Sequence, residues 1–511
     1  MATKITPRIP RGMRDILPQR MILRQYVIDT IVEVFESFGF EPLQTPAIEL
    51  EETLMGKYGS DAERLIYNVG HRDGKERLSL RYDLSVPLSR VVAQYPDLLK
   101  PFKRYQIAPV WRAERPQKGR YREFYQCDAD TVGAAGMLAD AETLNVTYEI
   151  LRRLGFRQFV TRINNRKIIA GIGQFAGVPE ALLGGLYRAI DKLDKIGLEG
   201  VREELRRTGL DEALDLLARA GVSGPALDGL IGPLRERDKA ATAAALRAAG
   251  LEEAAAAALQ GGLAASFPAQ QTIPDAVVDR LLEFLQIDGS NREVLAQLRQ
   301  WLAAYPEALE GIAELEEILG YLETLGIPDE FYQIVPAMVR GLEYYTGPVY
   351  ETVVVEPRIG SITGGGRYDK LIGLFSERSL PATGTTIGIE RIIDVMEELG
   401  LYPPALGQTV TQVLVTRFSA ETTPESLRLA QELRQAGLKA ELFFPDATLG
   451  NQIRFALKKG IPYIAILGPD EIQAGRVAVR NVALGVQEVV ARGEVAARIR
   501  EWREEKDSAR G

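Results

Sequence analysis

A chain of 511 residues with one histidine, His71, and one cysteine, Cys127, excludes much of enzyme chemistry at the outset. A Ser-His-Asp triad would have to use His71, an HExxH helix needs two histidines, and a Cys/His zinc site needs about four ligands. The composition, 46% hydrophobic and 26% charged, is that of an ordinary globular protein, and a net charge of −8 argues on its face against a nucleic-acid partner.

That total conceals an asymmetry, because residues 411–511 carry a net +2 and the rest of the chain −10. A polyanion meets the distribution rather than the sum. A single cysteine forbids an intramolecular disulfide, which suits a reducing compartment. No apolar run approaches the ~20 residues of a membrane span. The opening MATKITPRIPRGMRD has no apolar core of a signal peptide. A cytoplasmic protein of about two to four domains, away from membranes, is expected.

Along the chain, residues 21–40 place Leu23, Val27, Ile31, Val34 and Phe38 on one helical face, with Gly39 as a natural stop. An extended, proline-punctuated stretch follows over 41–50. Strand patterns then recur at 64–69, 77–84, 103–114 and 121–130, and turn chemistry between several of them predicts an antiparallel sheet. His71 falls in GHRDGKER (70–77) and is expected to sit exposed in a hairpin connection. Residues 139–154 read as a helix and 158–165 as a further strand. From about 170 to 330 alanine-rich periodic sequence predicts a mostly helical insertion. Strand-like, glycine-rich sequence returns over 331–390 and ends in the helix RIIDVMEEL. After the linker LYPPALGQ (401–408), alternating strand and helix patterns predict a small α/β domain with a largely parallel sheet.

The chemistry is sparse but concentrated. GK occurs only at Gly56-Lys57 and Gly74-Lys75, neither followed by Ser or Thr, so there is no P-loop. GIGQFAG (171–177) has the wrong glycine spacing for a dinucleotide fingerprint and reads as helical packing. The densest cluster is VWRAERPQKGRYREFYQCDAD (110–130), two strands flanking a basic loop with Pro116 and Gly119 at its centre. In the second strand, alternation puts Phe124, Gln126, Asp128 and Asp130 on one face and Tyr125, Cys127 and Ala129 on the other. From Phe124 to Asp130 is about 20 Å at ~3.3 Å per residue. An aromatic ring, an amide and two carboxylates in that order make a poor core and a plausible elongated trough. Cys127, on the opposite face, reads as packed core.

WRAERPQKGRYREFYQ resembles motif 2 of the class II aminoacyl-tRNA synthetases. TIGIERIIDVM (386–396) resembles motif 3, and residues 21–50 resemble motif 1, the helix and strand of the dimer interface. RGLEYYTGPVYE (340–351) and GGGRYDKL (364–371) look like the two histidine signatures of the histidyl-tRNA synthetase family, and LRYDLSVPLSR (80–90) matches the form found in one branch of it. The resemblance covers nearly the whole chain and is least specific over the insertion.

It implies an α+β catalytic domain on an antiparallel sheet in two parts (1–168 and 331–402), a helical insertion (169–330) and an α/β anticodon-binding domain (409–506). The implied activity is ligation of L-histidine to the 3′ end of tRNA(His), with ATP and Mg²⁺, by a homodimer. By resemblance, Arg112 would contact the α-phosphate and the amino-acid carboxylate, and Arg340 would be the catalytic arginine at the same phosphate. Glu114, Phe124 and Arg391 would hold adenine, the last two from either side of the ring. Asp83, Ser85 and Gln126 would take the amino end of histidine, and Leu84 would be among its other contacts. Asp130 and Tyr345 would hold the imidazole nitrogens, with Tyr344 beside them. Arg115, Lys118, Arg120 and Arg122 would meet the tRNA acceptor stem. No metal site built from protein side chains is expected.

Two departures stand out. Glu343 replaces an aspartate common in the first signature, and Ser85 a threonine common in this branch; both keep the hydrogen-bonding chemistry. Two rival readings remain, a non-catalytic regulatory subunit of ATP phosphoribosyltransferase and an uncharged-tRNA sensor. The retained Arg112, Arg340 and Arg391 and the C-terminal α/β segment disfavour the first. The absence of an effector segment disfavours the second.

Overall fold

The computed structural model describes residues 5–508 apart from 56–62, 73, 118, 252–255, 258, 262, 264–271, 340–343 and 404–405. Two compact units emerge, one of Ile31–Val395 with Pro10–Met13, the other of Arg14–Thr30 with the chain from Met396 onward.

The first long helix runs Pro18–Ser37 and buries Val27, Ile31, Val34 and Phe35 completely. Phe35, rather than the expected Phe38, completes the apolar face. Gly39 ends the helix at φ +77°, where Gly39 N–H donates to Glu36 O and Phe40 N–H to Phe35 O. Those bonds satisfy carbonyls the helix would otherwise leave open.

The main sheet has eight strands: β1 (Glu41–Pro42), β2 (Phe102–Trp111), β3 (Glu123–Val132), β4 (Phe159–Asn165), β5 (Tyr332–Ile334), β6 (Pro348–Val354), β7 (Thr363–Arg367) and β8 (Ala382–Ile387). Their spatial order is β1-β2-β3-β8-β7-β6-β4-β5. The six central strands are antiparallel as expected, while each edge strand, β1 and β5, pairs in parallel. Across β2 and β3 the register sets Arg104 opposite Asp130 and Ala108 opposite Gln126.

A separate three-stranded sheet joins Ile48–Leu50, Leu78–Leu80 and Asn68–Val69. Here the expected strand over 77–84 stops at Leu80, because Asp83 begins a helix, Ser85–Gln94. An Asp83 carboxylate oxygen accepts the Val86 N–H at 3.1 Å, taking one of the donors that a helix start exposes. His71 lies exposed between Asn68–Val69 and Leu78–Leu80, its carbonyl accepting Gly74 N–H at 3.1 Å.

Between β4 and β5 the described chain is helical from Arg166 to Thr324. GIGQFAG forms part of the helix Arg166–Ala176, whose Gly171 and Gly173 serve packing. A Cβ on them would lie 2.5 Å from Ala308 Cβ and from Leu183 Cδ2, respectively. Farther out, Leu210, Leu217, Leu230, Ile231, Leu234 and Leu246 share a small core of their own.

In the C-terminal unit Ala440–Leu442, Val413–Val415 and Tyr463–Ile466 are parallel, and the hairpin Arg476–Asn481/Val486–Ala491 then adds two antiparallel strands. The sheet is therefore less parallel than expected: Arg476–Asn481 runs antiparallel to Tyr463–Ile466, and the tight turn after it can return Val486–Ala491 only antiparallel. One face packs Val413, Val415, Tyr463 and Val477 under Leu429 and Leu433. Trp502 stacks on Tyr463, with centroids 5.9 Å apart and planes 7° from parallel.

Candidate active site

The β3 face read from alternation lines a continuous trough. Its outer lobe, about 300 Å³, includes Arg112, Glu114, Phe124 and Arg391. Its deep lobe, about 310 Å³, includes Asp83, Ser85, Asp130, Tyr344 and Tyr345. Arg112, Gln126, Glu351, Gly364 and Thr386 line both, so the lobes are two ends of one cleft.

Arg112 stands at the junction. Its guanidinium carbon is 4.3 Å from the Tyr82 ring centroid and 5.1 Å from that of Phe124, and its Nε donates to Tyr82 O at 3.1 Å. Two aromatic faces and one carbonyl fix the fork before any anion arrives, which is the preorganisation that makes a charged donor effective.

In the outer lobe Arg391, in the helix Ile389–Leu399, donates to the carbonyls of Gly119, at 3.3 Å, and Ser361. Gly119, at φ +71°, sits against this side chain: a Cβ there would lie 3.6 Å from Arg391 Cγ. Two acidic residues that sequence reasoning missed also line this lobe. Glu351 accepts the Ser361 hydroxyl at 2.6 Å, and Glu390 accepts Tyr125 N–H at 3.4 Å. Glu351 closes the very segment, RGLEYYTGPVYE, that carries the first signature.

The deep lobe is built on buried charge. Arg104 is wholly buried and its Nη2 lies 2.8 Å from Asp130 Oδ2. Asp130 Oδ1 accepts the Tyr368 hydroxyl. Burial pushes the Asp128 carboxyl up to about 7, against the pull of Arg104 and reinforced by neighbouring Asp130; burial raises Asp130 as well. The phenols of Tyr344 and Tyr345 are raised too, chiefly by burial, so both remain protonated and able to donate. Tyr344 does donate, to Asp83 Oδ2 at 3.4 Å.

Glycine makes this floor possible. A Cβ on Gly384 would fall 2.1 Å from Asp130 Oδ1, and one on Gly366 would fall 2.8 Å from Tyr345 Cδ1. Arg104 and Tyr368 escaped the sequence reading for different reasons. Tyr368 lies inside GGGRYDKL and could have been named, whereas Arg104 acts only through its cross-strand register.

Three expected residues also make contacts within the protein. The Leu84 side chain is fully buried beside Ala108 and Val110, so only its backbone, accepting Arg104 Nη2 at 3.2 Å, faces the site. Arg120 stays exposed, with its Nε 2.9 Å from Glu114. Arg122 is bound into the scaffold, donating to Glu114 O at 3.0 Å and Arg11 O at 3.4 Å. Arg115 is exposed on the loop. Cys127 is completely buried, as the alternation required. Arg340, Glu343 and Lys118 lie outside the described residues.

Comparison with known proteins agrees along the chain's length. The family model for histidyl-tRNA synthetase matches residues 12–259 and 234–392, and that for an anticodon binding domain matches 412–502. A histidine–tRNA ligase of Aeropyrum pernix is 39% identical over 96% of both chains. One of Porphyromonas gingivalis is 37% identical over 95% of this chain and 97% of its own. A crystal structure of histidyl-tRNA synthetase from Nostoc superposes with a TM-score of 0.73 at 31% identity, covering 98% of this chain and all of the other.

Proposed function

The chain belongs to the histidyl-tRNA synthetase family, and from that premise we propose how its own residues perform the reaction. The enzyme is a ligase. It activates L-histidine with ATP to histidyl-adenylate and pyrophosphate, then passes the histidyl group to the 3′ end of tRNA(His). One observation carries the residue-level reading: Arg112 stands where the outer and deep lobes join.

An adenylate laid along β3 puts adenine beside Phe124, the α-phosphate at Arg112 and the amino acid between Gln126 and Asp130. Phe124 supplies a stacking face, and Arg391, tethered by two carbonyls, supplies a cation over the other side. Glu114 is the acceptor for the adenine amino group, with Arg120 as its ion-pair partner. Arg112 orients the histidine carboxylate for in-line attack and stabilises the charge that develops at phosphorus. Arg340 shares that task. ATP enters as its Mg²⁺ complex, the ion neutralising phosphate charge and orienting the leaving group.

In the deep lobe Asp130 accepts an imidazole N–H, and the protonated phenol of Tyr345 donates to the other ring nitrogen. A side chain lacking either group would leave a buried polar partner unpaired, which is a strong basis for rejection.

The division into catalytic halves at 1–168 and 331–402, an insertion at 169–330 and an anticodon-binding domain at 409–506 is part of the same reading. In the last, Phe418 and Phe444 are exposed and offer ring faces for unpaired bases. Arg115, Lys118, Arg120 and Arg122 are the loop cations that meet the acceptor stem, and Arg120 and Arg122 also hold the loop through Glu114 and Arg11. A cytoplasmic homodimer completes the proposal. Among the described residues no single helix is long and apolar enough to cross a membrane.

The deciding experiment is ATP–pyrophosphate exchange with purified protein. Exchange that depends on histidine above the other amino acids is expected; no preference for histidine would overturn the reading.

A further inference from the structure

Tyr345 reaches the deep lobe from residues 344–347, which belong to neither helix nor strand. A phenol that must meet one ring nitrogen needs placement within about 0.5 Å, and irregular chain does not supply that by itself. The next residue does. Thr346 N–H donates to Arg367 O at 2.8 Å, and the Thr346 hydroxyl accepts Asp369 N–H at 3.0 Å while lying 3.5 Å from Arg367 O. Asp369 Oδ1 accepts Ala382 N–H at 3.2 Å, which carries the tie on to β8. Gly366 meanwhile lets β7 lie close against the Tyr345 ring.

Arg367, the hub of this latch, is 2% exposed. Each of its three guanidinium nitrogens is engaged. Nε lies 3.1 Å from Asp140 Oδ2, Nη1 donates to Ala134 O at 3.0 Å, and Nη2 donates to Gly136 O at 3.0 Å. Asp140 is wholly buried in the helix Leu138–Arg153, and its other oxygen accepts the Thr383 hydroxyl at 2.8 Å. Gly347 leaves room for the arginine, since a Cβ there would fall 3.1 Å from Arg367 Cδ. A fully satisfied buried network of this kind is rigid, and whatever is tied to it is held in place. Thr346, Arg367 and Asp369 lie outside the linings of both lobes, so their influence on a bound substrate passes through the rings they hold.

We propose that Thr346 is a positioning residue for the selection of histidine: tied to Arg367 and Asp369, it holds the Tyr345 hydroxyl where the acceptor nitrogen of the imidazole must lie. Any substitution keeps the backbone bond from residue 346 to Arg367 O; only the hydroxyl can be removed. Valine has nearly the same shape without it, and leaves Asp369 N–H without this acceptor. The role rests on the histidine-activating reading above.

The test is a double-mutant cycle in pyrophosphate exchange, with Thr346→Val made in the wild type and in Tyr345→Phe. In the wild type, Thr346→Val should raise KM for histidine about three- to tenfold, the equivalent of one hydrogen bond, and leave KM for ATP unchanged. Thr346→Ser, which keeps the hydroxyl, should restore the wild-type value. In Tyr345→Phe there is no phenol left to position, so Thr346→Val should change KM for histidine by less than about twofold. A merely structural latch would give the same factor in both backgrounds, and that result would overturn the proposal. No rise in KM for histidine would also overturn it, as would an equal rise for ATP or no rescue by serine. If Thr346→Val proves unfolded by circular dichroism, Thr346→Ala must show the same dependence on the Tyr345 hydroxyl or the proposal falls. Wild-type exchange separates the two levels. Without histidine-dependent exchange the function fails; with it, and without the coupling to Tyr345, only the positioning role fails.

Discussion

Arg104 and Asp130 face each other across the β2–β3 register, the guanidinium wholly buried and 2.8 Å from the carboxylate. Neither the strand pattern of β2 nor that of β3 demands the pair. It places a fixed positive charge behind the substrate lobe. Arg104→Met would leave Asp128 and Asp130, side by side on one face of β3, without their shared cation. Removing one member of a buried pair costs about 3–5 kcal/mol, so urea unfolding should show a loss of that order. A variant as stable as wild type would mean that the pair is dispensable.

Gly384→Ala is expected to strike histidine recognition selectively. The added Cβ would sit 2.1 Å from Asp130 Oδ1 and 2.7 Å from Ala129 O, and the backbone oxygen cannot easily yield. Overpacking of this kind costs about 1–3 kcal/mol, and the displaced carboxylate should raise KM for histidine about tenfold or more in pyrophosphate exchange. KM for ATP should hold, since Gly384 lines only the deep lobe.

Phe124→Ala should do the reverse. Loss of a stacking face is worth about 0.5–1.5 kcal/mol beyond area, so KM for ATP should rise several-fold or more. Histidine affinity measured without ATP should be unchanged. An equal loss of histidine affinity would show that Phe124 acts by holding Arg112, whose guanidinium carbon lies 5.1 Å from its ring centroid.

Two buried carboxyls make a prediction about pH. Burial raises Asp128 to about 7 and Asp140 to about 6, the latter against the opposing pull of Arg367. A carboxyl with a raised folded pKa binds its proton more tightly in the folded chain. Its contribution to stability is full below the ordinary carboxylate range and is lost as pH climbs through the raised value. Urea stability of the ligand-free enzyme should therefore carry a component that declines from about pH 4 to about pH 7, by up to about 1.4 kcal/mol per unit for each group. Asp128→Asn should flatten the upper part of that decline. The groups facing Asp128 are Arg104, Asp130, Asp83 and the Thr386 hydroxyl. An identical pH profile in the variant would remove Asp128 as its source.

His71→Gln should leave aminoacylation unchanged, because His71 is exposed in a turn of the small sheet rather than in the trough. A folded variant with greatly reduced turnover would contradict that placement.

Much of the site was legible because strands have a two-residue period. Once β3 was recognised, Phe124, Gln126, Asp128 and Asp130 had to share a face, and Cys127 had to be buried opposite. What stayed hidden depends on pairing between distant segments. Arg104 acquires its role only through the register with Asp130, and Glu390 only by meeting Tyr125 N–H across 265 positions of chain. The basic loop carries contacts that no local pattern gives: exposed Arg120 pairs with Glu114 across the turn at Gly119, and Arg122 bridges to the carbonyl of Arg11.

The β4–β5 pair bears on how the helical region can be engineered. These strands are parallel neighbours, with Thr161 beside Tyr332, and no hairpin can join them; a connection of about a dozen residues or more must cross the sheet. The helices Arg166–Ala176 and Pro306–Thr324 already make that crossing as an interlocked pair, and their far ends meet where Tyr305 lies 6.5 Å, centroid to centroid, from Phe175. Everything beyond that meeting point is topologically a side loop. Removing it would not rethread the sheet, but it would take away the helix Asn291–Trp301, whose Asn291 Nδ2 donates to Tyr332 O at 3.2 Å and whose Oδ1 accepts Ile334 N–H at 2.7 Å; that helix must stay with the bridge on which β5 depends.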